Sequence, residues 1–326
     1  MKLKIICLAL AFNFFSPADL MAAGAPKAAK NIASSDVECV MTADFGTAEN
    51  QLGSPSKGKK VMGFYAPTSF DVKNGDIYIL DAPNYRIIKY GSDKKAHKVC
   101  ILEKTDGRKK ILYSDIALLA DNSMLVTSGH GVLYEFDKTG KFIKKIKAAE
   151  GVKMVNKFGV DETGNIILPD PLNGKTVIAG ADGKKIADVP FLAESAFFPQ
   201  AGIVNIAKKK EKNESVISLN ISYPVDKKKG GRTIEVKIDE PVRGASLVGV
   251  NADNSFVLFI STAKGTDFLD ATYAVKISPE GKVIKKINIP LKSHLTTIRN
   301  IRLENAGSLL FATEGEEGYI ISRYKF

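Results

Sequence analysis

One unit recurs along the chain, and this recurrence constrains the fold more than any single residue does. A turn such as Asn74-Gly75, Asp121-Asn122, Thr163-Gly164, Asp253-Asn254 or Ala306-Gly307 is followed each time by a short apolar strand. The strands are Asp76–Leu80, Ser123–Thr127, Asn165–Leu168, Ser255–Phe259 and Ser308–Ala312, with a weaker copy at Gly202–Ile206. Gly, Asn and Asp tolerate the backbone of tight turns, and β-branched residues fit a pleated sheet. The spacings run from about 37 to 53 residues, the period of a multi-stranded unit in an array. A second element recurs later in the unit. Gly140-Lys141-Phe142-Ile143-Lys144-Lys145-Ile146 closely matches Gly281-Lys282-Val283-Ile284-Lys285-Lys286-Ile287, and Gly183-Lys184-Lys185-Ile186 is a shorter echo. These segments follow tight turns and read as outer strands, with Lys facing water and Ile or Phe packing inward.

Each unit therefore has four strands, a to d. Six units fit between Gly63 and Phe326, but the sixth stops at Tyr319–Phe326, its c strand. The unassigned segment Val37–Met41 is expected to supply the missing strand, which would close the ring and remove an exposed sheet edge. The reading is an all-β chain, a six-bladed β-propeller closed by an N-terminal strand; two β-sandwich domains are the alternative. At 326 residues, with 44% apolar and 25% charged residues, the chain can bury a full core without disulfides or metal.

The first unit carries a resemblance. Pro67-Thr68-Ser69-Phe70-Asp71-Val72 leads into Gly75-Asp76-Ile77-Tyr78-Ile79-Leu80-Asp81 and then Asn84-Tyr85-Arg86-Ile87-Ile88-Lys89-Tyr90. This resembles an NHL repeat of the six-bladed propeller class. The second, third, fifth and sixth units keep the turn and strand but lose the Asn-x-Arg element, and the fourth is barely recognisable. The resemblance implies a propeller scaffold that presents loops to partners, and it carries no reaction with it.

Residues 1–23 read as a signal peptide. Lys2 and Lys4 precede an apolar run from Ile5 to Phe15, too short to span a bilayer, and small residues follow at Ala22 to Ala25. Residues 24–36 read as a flexible leader and 37–326 as a single propeller domain. The expected location is periplasmic or extracellular, with no membrane span in the mature chain.

In a propeller the b–c and d–a loops emerge on one face, around the central channel. Those loops hold the candidate ligand residues Asp81, Asn84, His130, Asp170, Asn173, Asp267, Asp270, Glu314 and Glu316. Carboxylate and amide oxygens suit a hard cation such as Ca²⁺, and Asp170 and Glu314 are the candidate metal ligands. The competing reading makes them turn residues, chosen for backbone hydrogen bonds, with Asp81 and Arg86 an ion pair pinning a loop. His130 lies between two glycines, where a ligand could approach closely. No phosphate loop, zinc-protease motif, nucleophile elbow or CxxC pair is present. No cofactor is expected apart from such a divalent cation. The lead reading is an exported non-catalytic binding or scaffold protein with a protein or envelope partner. The alternative is a metal-dependent hydrolase or lyase of the six-bladed type, such as a lactonase.

The net charge is +11, and of 47 basic residues only seven are Arg. The runs at Lys208 to Lys212 and Lys227 to Lys229 lack Arg and interleaved aromatics, so nucleic acid is not an expected partner; weak contact with an anionic surface is the most they suggest. The absence of Trp counts against glycan-binding and quinone-dependent propellers. Cys39 and Cys100 both fall in outer strands of neighbouring blades, which diverge outward, and are expected to be free, buried thiols.

Overall fold

The computed structural model describes residues 37–53, 66–93, 95–106, 109–148, 151–191, 196–198, 202–211, 214–226, 228–262, 271–289, 299–304, 307–314 and 318–326. β1 (Val37–Ala43) stands apart from the strands that follow it. The first blade is β2 (Ser69–Lys73), β3 (Asp76–Asp81), β4 (Arg86–Tyr90) and β5 (Ala96–Ile101). A small hairpin, β6 (Thr105–Asp106) with β7 (Lys109–Lys110), precedes the second, β8 (Asp115–Leu118), β9 (Met124–Thr127), β10 (Val132–Phe136) and β11 (Phe142–Lys147). The third is β12 (Gly159–Val160), β13 (Ile166–Asp170), β14 (Lys175–Ala179) and β15 (Lys185–Pro190). The fourth is β16 (Ala196–Phe198), β17 (Gly202–Glu211), β18 (Glu214–Ser222) and β19 (Arg232–Ile238). The fifth is β20 (Val242–Val250), β21 (Phe256–Thr262), β22 (Ala271–Ile277) and β23 (Val283–Asn288). In the sixth, β24 (Ile301–Leu303), β25 (Leu309–Glu314) and β26 (Tyr319–Tyr324) are joined by β1 as the outermost strand. Six antiparallel four-stranded sheets thus form the ring of a six-bladed β-propeller.

The closing strand lies where the sequence places it. β1 runs antiparallel to β26, from Val37 opposite Tyr324 to Ala43 opposite Tyr319. Its buried residues Met41 and Ala43 join one apolar cluster with Phe70, Ile77 and Ile79 of the first blade and Leu310, Tyr319 and Ile321 of the sixth. Comparable clusters fill other seams. Leu80 and Ile87 of the first blade meet Ile116, Met124 and Val126 of the second, and Ile217 and Leu219 of the fourth meet Phe256 and Leu258 of the fifth. The core is therefore a ring of inter-blade layers, which no blade could bury alone.

The outer strands depart from the simple alternation expected of them. Five of them, β1, β5, β11, β15 and β23, contain a β-bulge, and the inserted residues are Val40, Val99, Ile143, Ile186 and Ile284. A bulge shifts the alternation by one and twists the edge away from further pairing. As a result Phe142, Ile143, Ile186, Val283 and Ile284 are exposed rather than packed inward, and in β11 and β23 only Ile146 and Ile287 are buried. The same device corrects the expectation for the cysteines. Both are free, and Cys100 is buried, but Cys39 sits beside the bulge and is exposed.

Three of the seams are sealed by the turn between c and d strands. A Cβ on Gly140, Gly183 or Gly281 would lie 2.2, 2.6 or 2.5 Å from the carbonyl oxygen of Val99, Lys147 or Glu235 on the preceding blade. All three have positive φ, so the turn needs glycine for both backbone angle and space. The third–fourth seam is different. There Pro224 and Val225 face Ile186, Ala187 and Val189 of β15 across a groove of about 790 Å³. The described lysines of the two runs do not form one patch: Lys208 to Lys210 lie at the end of β17 and Lys228 and Lys229 in the β18–β19 connection, at opposite ends of β18, while Lys212 and Lys227 lie outside the described residues. Among the described residues no helix is long and apolar enough to cross a membrane.

Deleting residues 37–43 is expected to lower stability by several kcal/mol, since it strips Met41 and Ala43 from a core layer and bares the β26 edge. An unchanged melting temperature would refute the closing role. Of Cys39 and Cys100, only Cys39 should react with a thiol reagent near neutral pH in the native protein, and both should react after unfolding, because burial pushes the Cys100 thiol up to about 12.

Candidate functional site: the loop face and the channel mouth

The b strands of the first, third and sixth blades end on an acidic residue, Asp81, Asp170 and Glu314, at the edge of the loop face. Asp81 is fully buried and its two oxygens are engaged. Oδ1 accepts the Gly53 amide at 2.9 Å, and Oδ2 accepts Asn84 Nδ2 at 2.9 Å and Arg86 Nε at 2.8 Å. Burial raises the Asp81 carboxyl above its ordinary value, and the bonds from Asn84 and Arg86 oppose that rise. Asn84 also donates to the carbonyls of Gly46 and Gly53, and the Arg86 fork donates to those of Thr47 and Gln51. Asp81, Asn84 and Arg86 together hold the connection that runs from β1 into the first blade. Their ligand-binding capacity is spent inside the chain.

The third blade repeats the arrangement with one change. Asp170-Pro171-Leu172-Asn173-Gly174-Lys175 has the spacing of Asp81-Ala82-Pro83-Asn84-Tyr85-Arg86, and Asp170 pairs with Lys175 in register as Asp81 pairs with Arg86. Asp170 Oδ2 accepts the Lys153 amide at 2.9 Å and Asn173 Nδ2 at 2.5 Å, and Asn173 donates to the Gly151 carbonyl. This clasp holds the connection into the third blade. Asp81 takes a backbone amide on one oxygen and Asn84 with Arg86 on the other, whereas Asp170 takes the amide and Asn173 on Oδ2, so its buried Oδ1 has no partner among the described residues. The expected loss of the Asn-x-Arg element in this blade is therefore a substitution of Lys for Arg. Tyr85 and Gly174 occupy the same left-handed position, with φ of 52° and 64°.

Of the other candidates only His130 has a described side chain. His130 is exposed on the β9–β10 turn, where Gly129 and Gly131 both have positive φ. Their carbonyls accept the Val155 and Ala148 amides, so the loop is pinned by its backbone. Asp267, Asp270 and Glu316 lie outside the described residues, and of Glu314 only the backbone is described. Among the described residues no group of three His, Cys, Asp or Glu side chains is placed to hold a metal.

The densest polar cluster lies on the channel axis, among the a strands. Asp115, at the start of β8, is fully buried. Its Oδ1 accepts Ser69 Oγ at 2.6 Å, and its Oδ2 accepts the Phe158 amide at 3.0 Å and pairs with Arg299 at 2.7 Å. Arg302 lies 3.8 Å from Asp115 and 3.4 Å from Asp71. Arg302 donates to the carbonyls of Phe70 and Ile116, and Arg299 to that of Phe158. Two arginines of the sixth blade thus reach the inner strands of the first, second and third. Burial, and next the charge of Arg299, pull the Arg302 guanidinium down to about 10. The cluster knits four blades across the axis and neutralises its own charge. No loop-based motif marks it, but a signal exists. In a chain with 40 lysines, Arg86, Arg302 and Arg323 each donate through two or more nitrogens of a planar fork to separate acceptors inside the fold, and Arg299 joins Arg302 at Asp115.

The ring and its axial clamp, Asp115 with Arg299 and Arg302, define a six-bladed β-propeller. Comparison with protein families and with curated proteins finds no match. Among solved structures the chain is similar to a virginiamycin B lyase from Staphylococcus aureus, at 14% identity and a TM-score of 0.47, covering 80% of this chain and 84% of that one. It is also similar to a gluconolactonase from Xanthomonas campestris, at 12% identity and a TM-score of 0.49, covering 76% and 82%. A Bacteroides caccae protein of unknown function aligns at 15% identity and a TM-score of 0.45, covering 71% and 84%. At these values the likeness says nothing about activity.

Asp115→Asn is expected to cost roughly 3 kcal/mol in denaturant unfolding, because it leaves two guanidiniums without their shared carboxylate. Lys175→Arg should act in the opposite sense. A guanidinium at that position brings further donors to the buried Asp170 carboxylate, whose Oδ1 has none among the described residues, and should raise stability by about 1 kcal/mol.

Proposed function

We propose that the chain is an exported, non-catalytic β-propeller of NHL-repeat type that presents its loop face to a protein or envelope partner. One observation carries the reading. On the arc from the first to the third blade, the loop-face connections leave Ile101, Leu112, Leu172 and Phe191 exposed at 63%, 38%, 65% and 37%. Exposed large apolar side chains on these connections are the contacts a partner surface needs. The roles of Asp81, Asn84, Asp115 and Arg299 support it, since these groups spend their hydrogen bonds on holding the face in shape. Export rests on the character of residues 1–23, and it sets the compartment in which a partner is sought.

A second reading rests on the buried, unpartnered Asp170 Oδ1: a metal-dependent hydrolase or lyase in which that oxygen meets a divalent cation such as Ca²⁺. One preparation separates the two. Wild-type protein and Leu172→Glu are incubated with periplasmic extract, and the metal content of each is measured. The partner reading expects a captured protein that Leu172→Glu loses at unchanged melting temperature. Identical capture by both proteins would sink it. One tightly held divalent ion per chain, lost in Asp170→Asn, would move the assignment to the metal enzyme.

A further inference from the structure

The repeated Gly-Lys-[Phe/Val]-Ile-Lys-Lys-Ile element is not explained by anything on the loop face. It starts the outer strands β11 and β23, at the c–d turns, and these turns emerge on the face opposite the b–c loops because successive strands alternate in direction. Two facts about it need a common cause. The first is apolar exposure: Phe142 and Ile143 are 52% and 49% exposed, Val283 and Ile284 are 39% and 55%, and Ile186 in the shorter echo is 47%. The second is charge. Residues 137–147 hold five Lys against one Asp and residues 278–288 three Lys against one Glu; Lys144 pairs with Glu135 and Lys286 with Glu240, which leaves Lys138, Lys141 and Lys282 as the charge beside the turns.

Edge protection accounts for the lysines and for the bulges, since both discourage pairing with another strand. It does not account for isoleucine at the bulge. A bulged residue points away from the ladder, and a polar one would protect the edge as well. Phe142 and Ile143, or Val283 and Ile284, among lysines form instead the mixed surface that enters a lipid interface: apolar tips sink past the headgroups while ammonium groups meet the phosphates. The blade-four turn adds exposed Val225 with Lys228 and Lys229 on the same face. Blades two and five lie opposite each other in a ring of six, so their turns are two separated footholds on one plane.

We infer that this rim docks the propeller onto an anionic lipid bilayer, through Phe142 and Ile143 on one side and Val283 and Ile284 on the other. The inference does not depend on the partner reading, which concerns the opposite face. Lys228 and Lys229 lie on this face, whereas the lysines at the end of β17, Lys208 to Lys210, lie at the other end of β18.

The chain has no Trp, so one introduced indole reports its own surroundings. Phe142→Trp is placed on the rim, Ile284→Trp on the second foothold, and Leu172→Trp on the loop face as the contrast. Each is mixed with vesicles of phosphatidylcholine alone and of phosphatidylcholine with phosphatidylglycerol in equal parts. The expected result is a blue shift of the Phe142→Trp and Ile284→Trp emission with the anionic vesicles only, and none for Leu172→Trp. Replacing Lys138 and Lys141, which flank the c–d turn, by Gln should then weaken vesicle binding by roughly fivefold per lysine at low salt. Unmoved rim reporters in proteins with wild-type melting temperatures would overturn the inference. So would a shift confined to Leu172→Trp, or the same shift with neutral vesicles.

Discussion

The backbone pairing between β1 and β26 is the contact on which the ring depends. Every other blade is made from consecutive strands and could form as a local meander. The sixth blade is shared by the two ends of the described chain, and its last strand arrives from the far terminus. Pairing alone would leave the segment after β1 loose. Asp81, Asn84 and Arg86 take up that segment and fasten it by its own carbonyls and the Gly53 amide. The residues that look most like a ligand set are thus part of the lock. The same logic recurs in the third blade, where Asp170 and Asn173 hold the incoming connection.

The axis is held by a different kind of bond. Seams between blades are apolar layers, which attract without direction. The Asp115 cluster is directional. Each guanidinium has acceptors on named carbonyls of particular inner strands, so it fixes how the first, second, third and sixth blades sit around the channel. No described side chain of the fourth or fifth blade joins this cluster, and the fourth is also the blade whose outer strand lacks a bulge. The most degenerate repeat is the one with the fewest of the shared devices.

The architecture was legible in the sequence because turns and strands are local. Asn74-Gly75 and Asp253-Asn254 announce a hairpin within a few residues, and the recurrence of such turns announces the ring. Even the missing outer strand could be inferred by counting. Side-chain direction in the outer strands was not legible, since one inserted residue, Ile143 or Val40, reverses the alternation and leaves no mark in composition. The clasp was half legible. Asp81 and Arg86 were visible as a pair, while Lys175 concealed the third-blade copy by changing residue type at a constant spacing. The axial cluster was not legible at all. Asp115 and Arg299 are separated by most of the chain, and only the ring brings them within 2.7 Å.

Closure by the N-terminal strand also has a consequence in time. Glu38 and Arg323 meet across 285 residues of sequence. A chain delivered from its N-terminus holds β1 first and can place it last. Until Tyr319 to Tyr324 emerge, β1 has no edge to join, and the first blade has no sixth blade to lean on. The ring therefore cannot lock on an incomplete chain. The appearance of β26 sets the earliest moment at which the ring can lock, and a product that stops before it carries its own defect at the seam.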